Sequence, residues 1–154
     1  MDRFLEDLSV GDKFESPTIT VEEDELLNFA RRFDPQPMHI DHEAAERGPF
    51  KGLIASGWHT AALVMKLNAE AKFLGNTPML GMGVDNLAWP LPVRPNDTLR
   101  VVTEVTKITP SKSKPNFGIV SLTCTAYNQH GQIVFIAKPN CWVPRRPVEI
   151  ETVP

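Results

Sequence analysis

The stretch that decides the fold is SGWHTAALVMKLNAEAKFLG, residues 56 to 75. Ala61, Ala62, Val64, Met65, Leu67, Ala69 and Phe73 set small or apolar side chains nearly all round one helix, and Gly75 supplies a stop signal. A helix that apolar on most sides needs other structure wrapped around it. The sequence downstream offers that wrapping, because its period changes. MLGMGVDNLAWPLPV (79–93), TLRVVTEVTKI (98–108), GIVSLTCTAYN (118–128) and QIVFIAKPNCWV (132–143) are β-branched and aromatic runs, and in the second Leu99, Val101 and Val105 alternate against Arg100 and Glu104. Four strands follow the helix. NQHGQ (128–132) is a hairpin turn with Gly131 available for positive φ, and RPNDT (94–98) is a tight connection in which Asn96 can turn left-handed. Pro139 inside the last strand points to an edge or a bulge.

Upstream, GDKFESPTITV (11–21) reads as a short strand. It runs into TVEEDELLNFARRF (20–33), where Thr20 can cap with Glu23 three residues on, and Leu26, Leu27, Phe29 and Ala30 make an inward face. This helix must stop near Phe33, because Pro35 disfavours helical geometry at Asp34 and Pro37 repeats the restriction. A short acidic helical turn, DHEAAER (41–47), and the loop GPFKG (48–52) then lead to the long helix. The order strand, helix, loop, buried helix, antiparallel meander is met by a curved sheet wrapped around one helix, the α+β arrangement called the hotdog. The whole chain, 1–154, reads as a single such domain, with 145–154 a surface tail.

Composition narrows the function classes. A net charge of -3, with both signs spread along the chain, offers no basic stripe for nucleic acid. The start, MDRFLEDLSVGDKF, has acids from its second residue and no apolar run, and the longest apolar stretch, TAALVMKL, is too short to span a bilayer. A cytoplasmic protein with no membrane partner is expected. Cys124 and Cys141 sit in strand-like apolar segments without metal-ligand spacing, which favours buried free thiols.

Chemistry concentrates in DPQPMH, residues 34 to 39, a segment read as neither regular helix nor central strand. Its prolines hold Asp34 and His39 at restricted backbone geometry. Adding water across a conjugated double bond needs one group to take a proton from water and one to supply a proton at the α-carbon. A carboxylate and an imidazole sharing one water can divide those tasks. Alone, Asp34 could equally end the preceding helix in an Asx turn, with His39 a packed loop residue.

FDPQPMHID (33–41), GLIASGWHT (52–60), LAWPLPVRPNDTL (87–99), SKSKPNFGIV (111–120) and NQHGQIV (128–134) resemble, in order, the MaoC-like acyl dehydratases and (R)-specific enoyl-CoA hydratases. The resemblance spans roughly residues 5 to 144. It implies hydration of 2-enoyl-CoA, or dehydration of 3-hydroxyacyl-CoA, by Asp34 and His39. By its place in the motif, Gly57 N–H at the start of the long helix is the candidate oxyanion donor, a position the helix dipole favours. Ser56 is the helix cap and a substrate contact. Gln36 stands where many of these hydratases have asparagine.

Phe50, Trp58 and Trp89 are candidates for lining an acyl tunnel, against the alternative that they are core. Lys112 and Lys114 are candidate phosphate contacts for coenzyme A, against a merely solvated loop. His59 reads as a packing residue, and His42 and His130 as solvent-facing, with no metal site. No metal or redox cofactor is implied, since coenzyme A enters as part of the acyl-CoA substrate. The resemblance also implies a homodimer or higher homo-oligomer. Two rival readings share the fold: an acyl-CoA thioesterase, disfavoured because no carboxylate lies between Ser56 and Ala69, and a non-catalytic acyl-CoA-binding module.

Overall fold

The structure is a computed structural model and describes residues 1–148. The sheet comprises β1 (Lys13–Glu15), β2 (Ile19–Thr20), β3 (Leu80–Ala88), β4 (Thr98–Pro110), β5 (Phe117–Tyr127) and β6 (Ile133–Pro144). Helices α1 (Glu23–Phe33), α2 (Pro37–Ile40), α3 (His42–Arg47) and α4 (Gly57–Ala71) all lie between β2 and β3 in the chain. Strand order is β1-β4-β5-β6-β3, every pairing antiparallel, with β2 also on β4. This is the α+β hotdog architecture.

Alternation in β4 delivers the core as read: Leu99, Val101 and Val105 are fully buried. They meet Val120, Leu122, Val134 and Val143 of the neighbouring strands and Leu63, Val64 and Leu67 of α4. Leu67 is fully enclosed, and its truncation to alanine would cost roughly 2–5 kcal/mol. Cys124 and Cys141 are free and buried in the same core. Gly131 (φ 70°) and Asn96 (φ 69°) occupy the left-handed region in their turns.

Several expectations are corrected. The last four strands are not a simple meander: β4, β5 and β6 are sequential neighbours, but β3 crosses to the far side of β6, and among the described residues its other edge is unpaired. Pro139 therefore sits in an interior strand, where the β5–β6 ladder is interrupted between Ser121↔Asn140 and Cys124↔Ala137. The segment 11–21 forms two strands. Between them the buried Ser16 accepts from Val101 N–H through Oγ (2.8 Å) and returns its own N–H to Val101 O (2.9 Å). Thr20 does not cap α1, because pairing continues past it: Val21 N–H reaches Asp97 O and Asn96 N–H reaches Val21 O, both at 2.8 Å. The cap is Glu22, without a side-chain bond, and Glu23, Asp24 and Glu25 complement the helix dipole.

Helix α4 stops at Lys72, left-handed at φ 49°, before Gly75 is reached. It is also not wrapped on all sides. Leu63, Val64 and Leu67 face the sheet, whereas Trp58, Ala62, Met65 and Ala69 form an exposed row at helical spacing. Part of the expected tail is tied down: Arg146 N–H donates to Glu6 Oε2 (2.9 Å) and its guanidinium pairs with Asp7. Residues 149–154 of that tail lie outside the described residues. No described helix is long and apolar enough to cross a membrane.

Candidate active site

Residues 34–56 carry the site. Asp34 ends α1, its N–H still bonded to Ala30 O (2.8 Å) while its backbone leaves helical geometry, as a residue before proline must. Pro37 then opens a single helical turn, α2, instead of preventing one: at the first helical position its missing N–H costs nothing and its φ is already set. This corrects the non-helical reading of DPQPMH. The turn carries His39 back toward Asp34, bringing Nε2 to 3.4 Å from Oδ2.

The segment Leu53–Ser56 is buried throughout. It is tied on one side by Ile54 N–H to Met38 O (3.2 Å) and on the other by Ala55 N–H to Val93 O (2.8 Å). Its tethering places Ile54 O 2.7 Å from His39 Nδ1. A carbonyl only accepts, so Nδ1 carries a proton and Nε2 is the nitrogen turned toward Asp34. His39 is 3% exposed, which leaves the ring little freedom.

Asp34 is gripped from both sides. Ser56 Oγ donates to Oδ2 (2.7 Å) and Gln36 Nε2 donates to Oδ1 (2.8 Å). These bonds, the Ser56 bond foremost, hold its carboxyl below the ordinary value of 3.8 against the opposing effect of burial, and the field of His39 lowers it further. Ser56 occupies the cap position of α4, but its side chain makes no capping bond, since it is spent on Asp34.

Gly57 is the first residue of α4, and among the described residues its N–H finds no acceptor. The glycine is required by Trp89, whose Cε2 lies 2.8 Å from where a Cβ would stand and whose Nε1 donates to Gly57 O (2.8 Å). Asp34, His39, Gly57, Phe50, Trp58 and Trp89 all line one cavity of about 460 Å³. Trp58 and Trp89 meet edge to face, with centroids 5.3 Å apart. The aromatic candidates are therefore cavity walls, and Trp89 also packs on the buried Phe135.

Lys112 and Lys114 are not brought to this cavity within the chain. They occupy the β4–β5 turn, where Lys114 Nζ sits 5.1 Å from the Trp142 ring centroid. The cavity lies beside the opposite end of β4, and thirteen residues of strand put the two ends roughly 40 Å apart. His59 is buried against Phe29, centroids 4.8 Å apart and nearly parallel, as a packing residue would be. Among the described residues its Nδ1 has no partner, and burial lowers its pKa against the pull of Glu25. His42 reaches Glu23 on α1 and His130 lies in the β5–β6 turn, so the two do not converge.

Three parts of the site escaped sequence reading. The Ile54 carbonyl is a backbone group with no residue-type signal, and Met38 and Leu91 look like ordinary apolar residues until the fold sets them in the cavity wall.

A family model described as "MaoC like domain" matches residues 7–128. Among solved structures, a MaoC-like dehydratase from Rhodospirillum rubrum superposes with a TM-score of 0.90 at 46% identity, covering 95% of this chain and 99% of that one. R-hydratase PhaJ1 from Pseudomonas aeruginosa gives 0.76 at 29% identity over 98% of this chain and 93% of its own. An (R)-hydratase from A. caviae involved in PHA biosynthesis gives 0.71 at 26% identity over 91% and 98%. The uncharacterized protein YdeM of Bacillus subtilis is 35% identical over 131 residues, 85% of this chain and 92% of that protein. The order of motifs, the hotdog sheet and these matches agree, and the chain belongs to the MaoC-like dehydratase family.

Proposed function

We propose that this chain hydrates 2-enoyl-CoA thioesters and, in reverse, dehydrates 3-hydroxyacyl-CoA. One observation carries the reading: Asp34 Oδ2 and His39 Nε2 face each other at 3.4 Å in the wall of a largely apolar cavity that also contains Gly57 at a helix N-terminus. The likeness to two R-hydratases supports the reaction class.

In this mechanism one water sits on the cavity side of the pair, within reach of both Asp34 Oδ2 and His39 Nε2. Asp34, kept ionised by Ser56 and Gln36, accepts a hydrogen bond from it and orients it. His39 Nε2 takes the second proton as the water oxygen bonds to the β-carbon, and Ile54 O steadies the imidazolium through Nδ1–H. The electron pair of the double bond moves to the thioester oxygen, where Gly57 N–H and the dipole of α4 stabilise it. The proton on Nε2 then passes to the α-carbon, so that water has added across the bond without net proton exchange.

A homodimer goes with this reading. Among the described residues strand β3 leaves one edge unpaired, and Leu80, Met82 and Val84 on it are 69%, 47% and 52% exposed. Met65 of α4, 69% exposed, adds a further apolar side chain to the surface, and an exposed apolar strand edge favours pairing with another copy.

The test follows the absorbance of trans-2-enoyl-CoA substrates across chain lengths for wild type, Asp34→Asn and His39→Ala. Loss of the enoyl signal in wild type alone, with no thiol released, is the expected result. Thiol release would convert the reading to a thioesterase, and tight binding without turnover to an acyl-CoA-binding module.

A further inference from the structure

The dyad cavity has a polar neighbour. A second cavity of about 300 Å³ shares Leu91 and Pro92 with it and is otherwise polar, with Arg94, Asp97, Gln129 and His130 in its wall. The two adjoin at Leu91 and Pro92, the first largely apolar and the second lined by polar side chains.

Arg94 stands at the divide. Its Nη2 donates to Phe50 O (2.6 Å), and Phe50 lines the dyad cavity. Among the described residues no carboxylate forms an ion pair with its guanidinium. Asp97 shares the polar lobe, yet both of its oxygens are committed elsewhere: Oδ2 accepts Arg94 N–H and Oδ1 accepts Gln129 Nε2, each at 2.9 Å. A guanidinium has five N–H donors in a planar fork, and one bond to a carbonyl leaves most of them unused. A half-buried cation with spare planar donors beside an apolar cleft is complementary to a ligand with a reactive apolar segment and an oxyanion some distance along it.

We propose that Arg94 anchors an anionic group of the substrate, a phosphate of the coenzyme A carrier or a carboxylate on the acyl chain, in the polar cavity that adjoins the dyad cleft. The proposal rests on the thioester reading of that cleft. Its alternative is mechanical: through Phe50 O, Arg94 also clamps the loop 48–52, which turns at Lys51 (φ 57°) and Gly52 (φ 145°).

The test separates these by binding, without relying on turnover, using quenching of Trp58 and Trp89 in the cleft. Wild type, Arg94→Gln and Arg94→Lys are titrated with coenzyme A, pantetheine, and short acyl-pantetheine thioesters with and without a terminal carboxylate. A loss of about tenfold in Arg94→Gln for coenzyme A but not pantetheine identifies phosphate as the anion. The same loss confined to the carboxylated thioester identifies the acyl carboxylate. In either case Arg94→Lys keeps part of the affinity. An equal loss for every ligand, or none for any, overturns the proposal and leaves the clamp. If wild type binds none of the four, the thioester reading itself fails and the anion subsite goes with it.

Discussion

Ser56 Oγ donates to Asp34 Oδ2 at 2.7 Å across 22 residues of sequence, so the residue in the cap position of α4 serves the carboxylate at the end of α1. Asp34 is thereby held by a side chain that is itself fully buried.

Ser56→Ala should raise the Asp34 pKa toward its ordinary value, because the bond it removes is the largest cause of the depression. A carboxylate with a depressed folded pKa contributes stability that is present above its unfolded value and lost as pH falls through the folded one. The variant should therefore lose stability at neutral pH, by roughly 1–2 kcal/mol, and lose less on acidification than wild type. Carbon-detected NMR titration of Asp34 reads the shift directly, and the acid limb of the kcat/KM profile should move up with it. An unmoved titration would mean that Gln36 alone sets the carboxylate.

Gly57→Ala drives a Cβ to 2.8 Å from Trp89 Cε2, a distance that atoms do not tolerate. Overpacking of this kind costs roughly 1–3 kcal/mol. Adding Trp89→Leu, which withdraws the ring, should recover part of that loss, so that the double variant is more stable than the sum of the singles requires. Urea denaturation of the four-member cycle measures the coupling. Additive effects would show that the Trp89 ring does not oppose a side chain at position 57.

His59 gives a stability dependence of its own. Its folded pKa lies below the ordinary 6.5, lowered by burial, so the unfolded chain binds a proton first as pH falls and stability declines from about pH 6.5 downward. His59→Phe keeps a ring against Phe29 and removes the unpartnered Nδ1. It should flatten that decline and stabilise the protein at neutral pH by roughly 1 kcal/mol. Denaturation curves at neutral and mildly acid pH, wild type beside variant, decide it; parallel declines would exonerate His59.

Association through β3 and α4 predicts that Val84→Lys combined with Met65→Glu shifts the particle from dimer to monomer, since lysine on a strand edge and a charge on the exposed helix row both oppose burial there. Light scattering behind a sizing column gives the mass. A wild-type monomer, or a dimer indifferent to both charges, would remove this surface from consideration.

The elements were legible where their signal is local. Alternation at Leu99, Val101 and Val105 marked β4 because side chains on a strand point to opposite faces in turn, and the prolines around Asp34 marked the end of α1 because they restrict their neighbours directly. Boundaries failed where distant partners intervened. Thr20 lost its capping role to pairing with the 96–98 segment, and Gly75 was pre-empted by a left-handed Lys72.

The site divides along the same line. Asp34, His39 and Gly57 could be named from DPQPMH and GLIASGWHT, since residue type, spacing and family motif identify them. What each does there depends on groups far along the chain: Ile54 O on His39, Ser56 on Asp34, Trp89 on Gly57. Lys112 and Lys114 had suitable chemistry, and only the length and direction of β4 removed them from the cavity. By itself, then, the sequence determined helix and strand character, which follows from side-chain periodicity within a few residues, and it named the candidate acid–imidazole pair through residue type, spacing and family motif. The crossing of β3 to β6, the contact of His39 Nδ1 with Ile54 O and the grip on Asp34 were decided by tertiary structure, because each is a contact between segments whose meeting depends on how the whole sheet closes around α4.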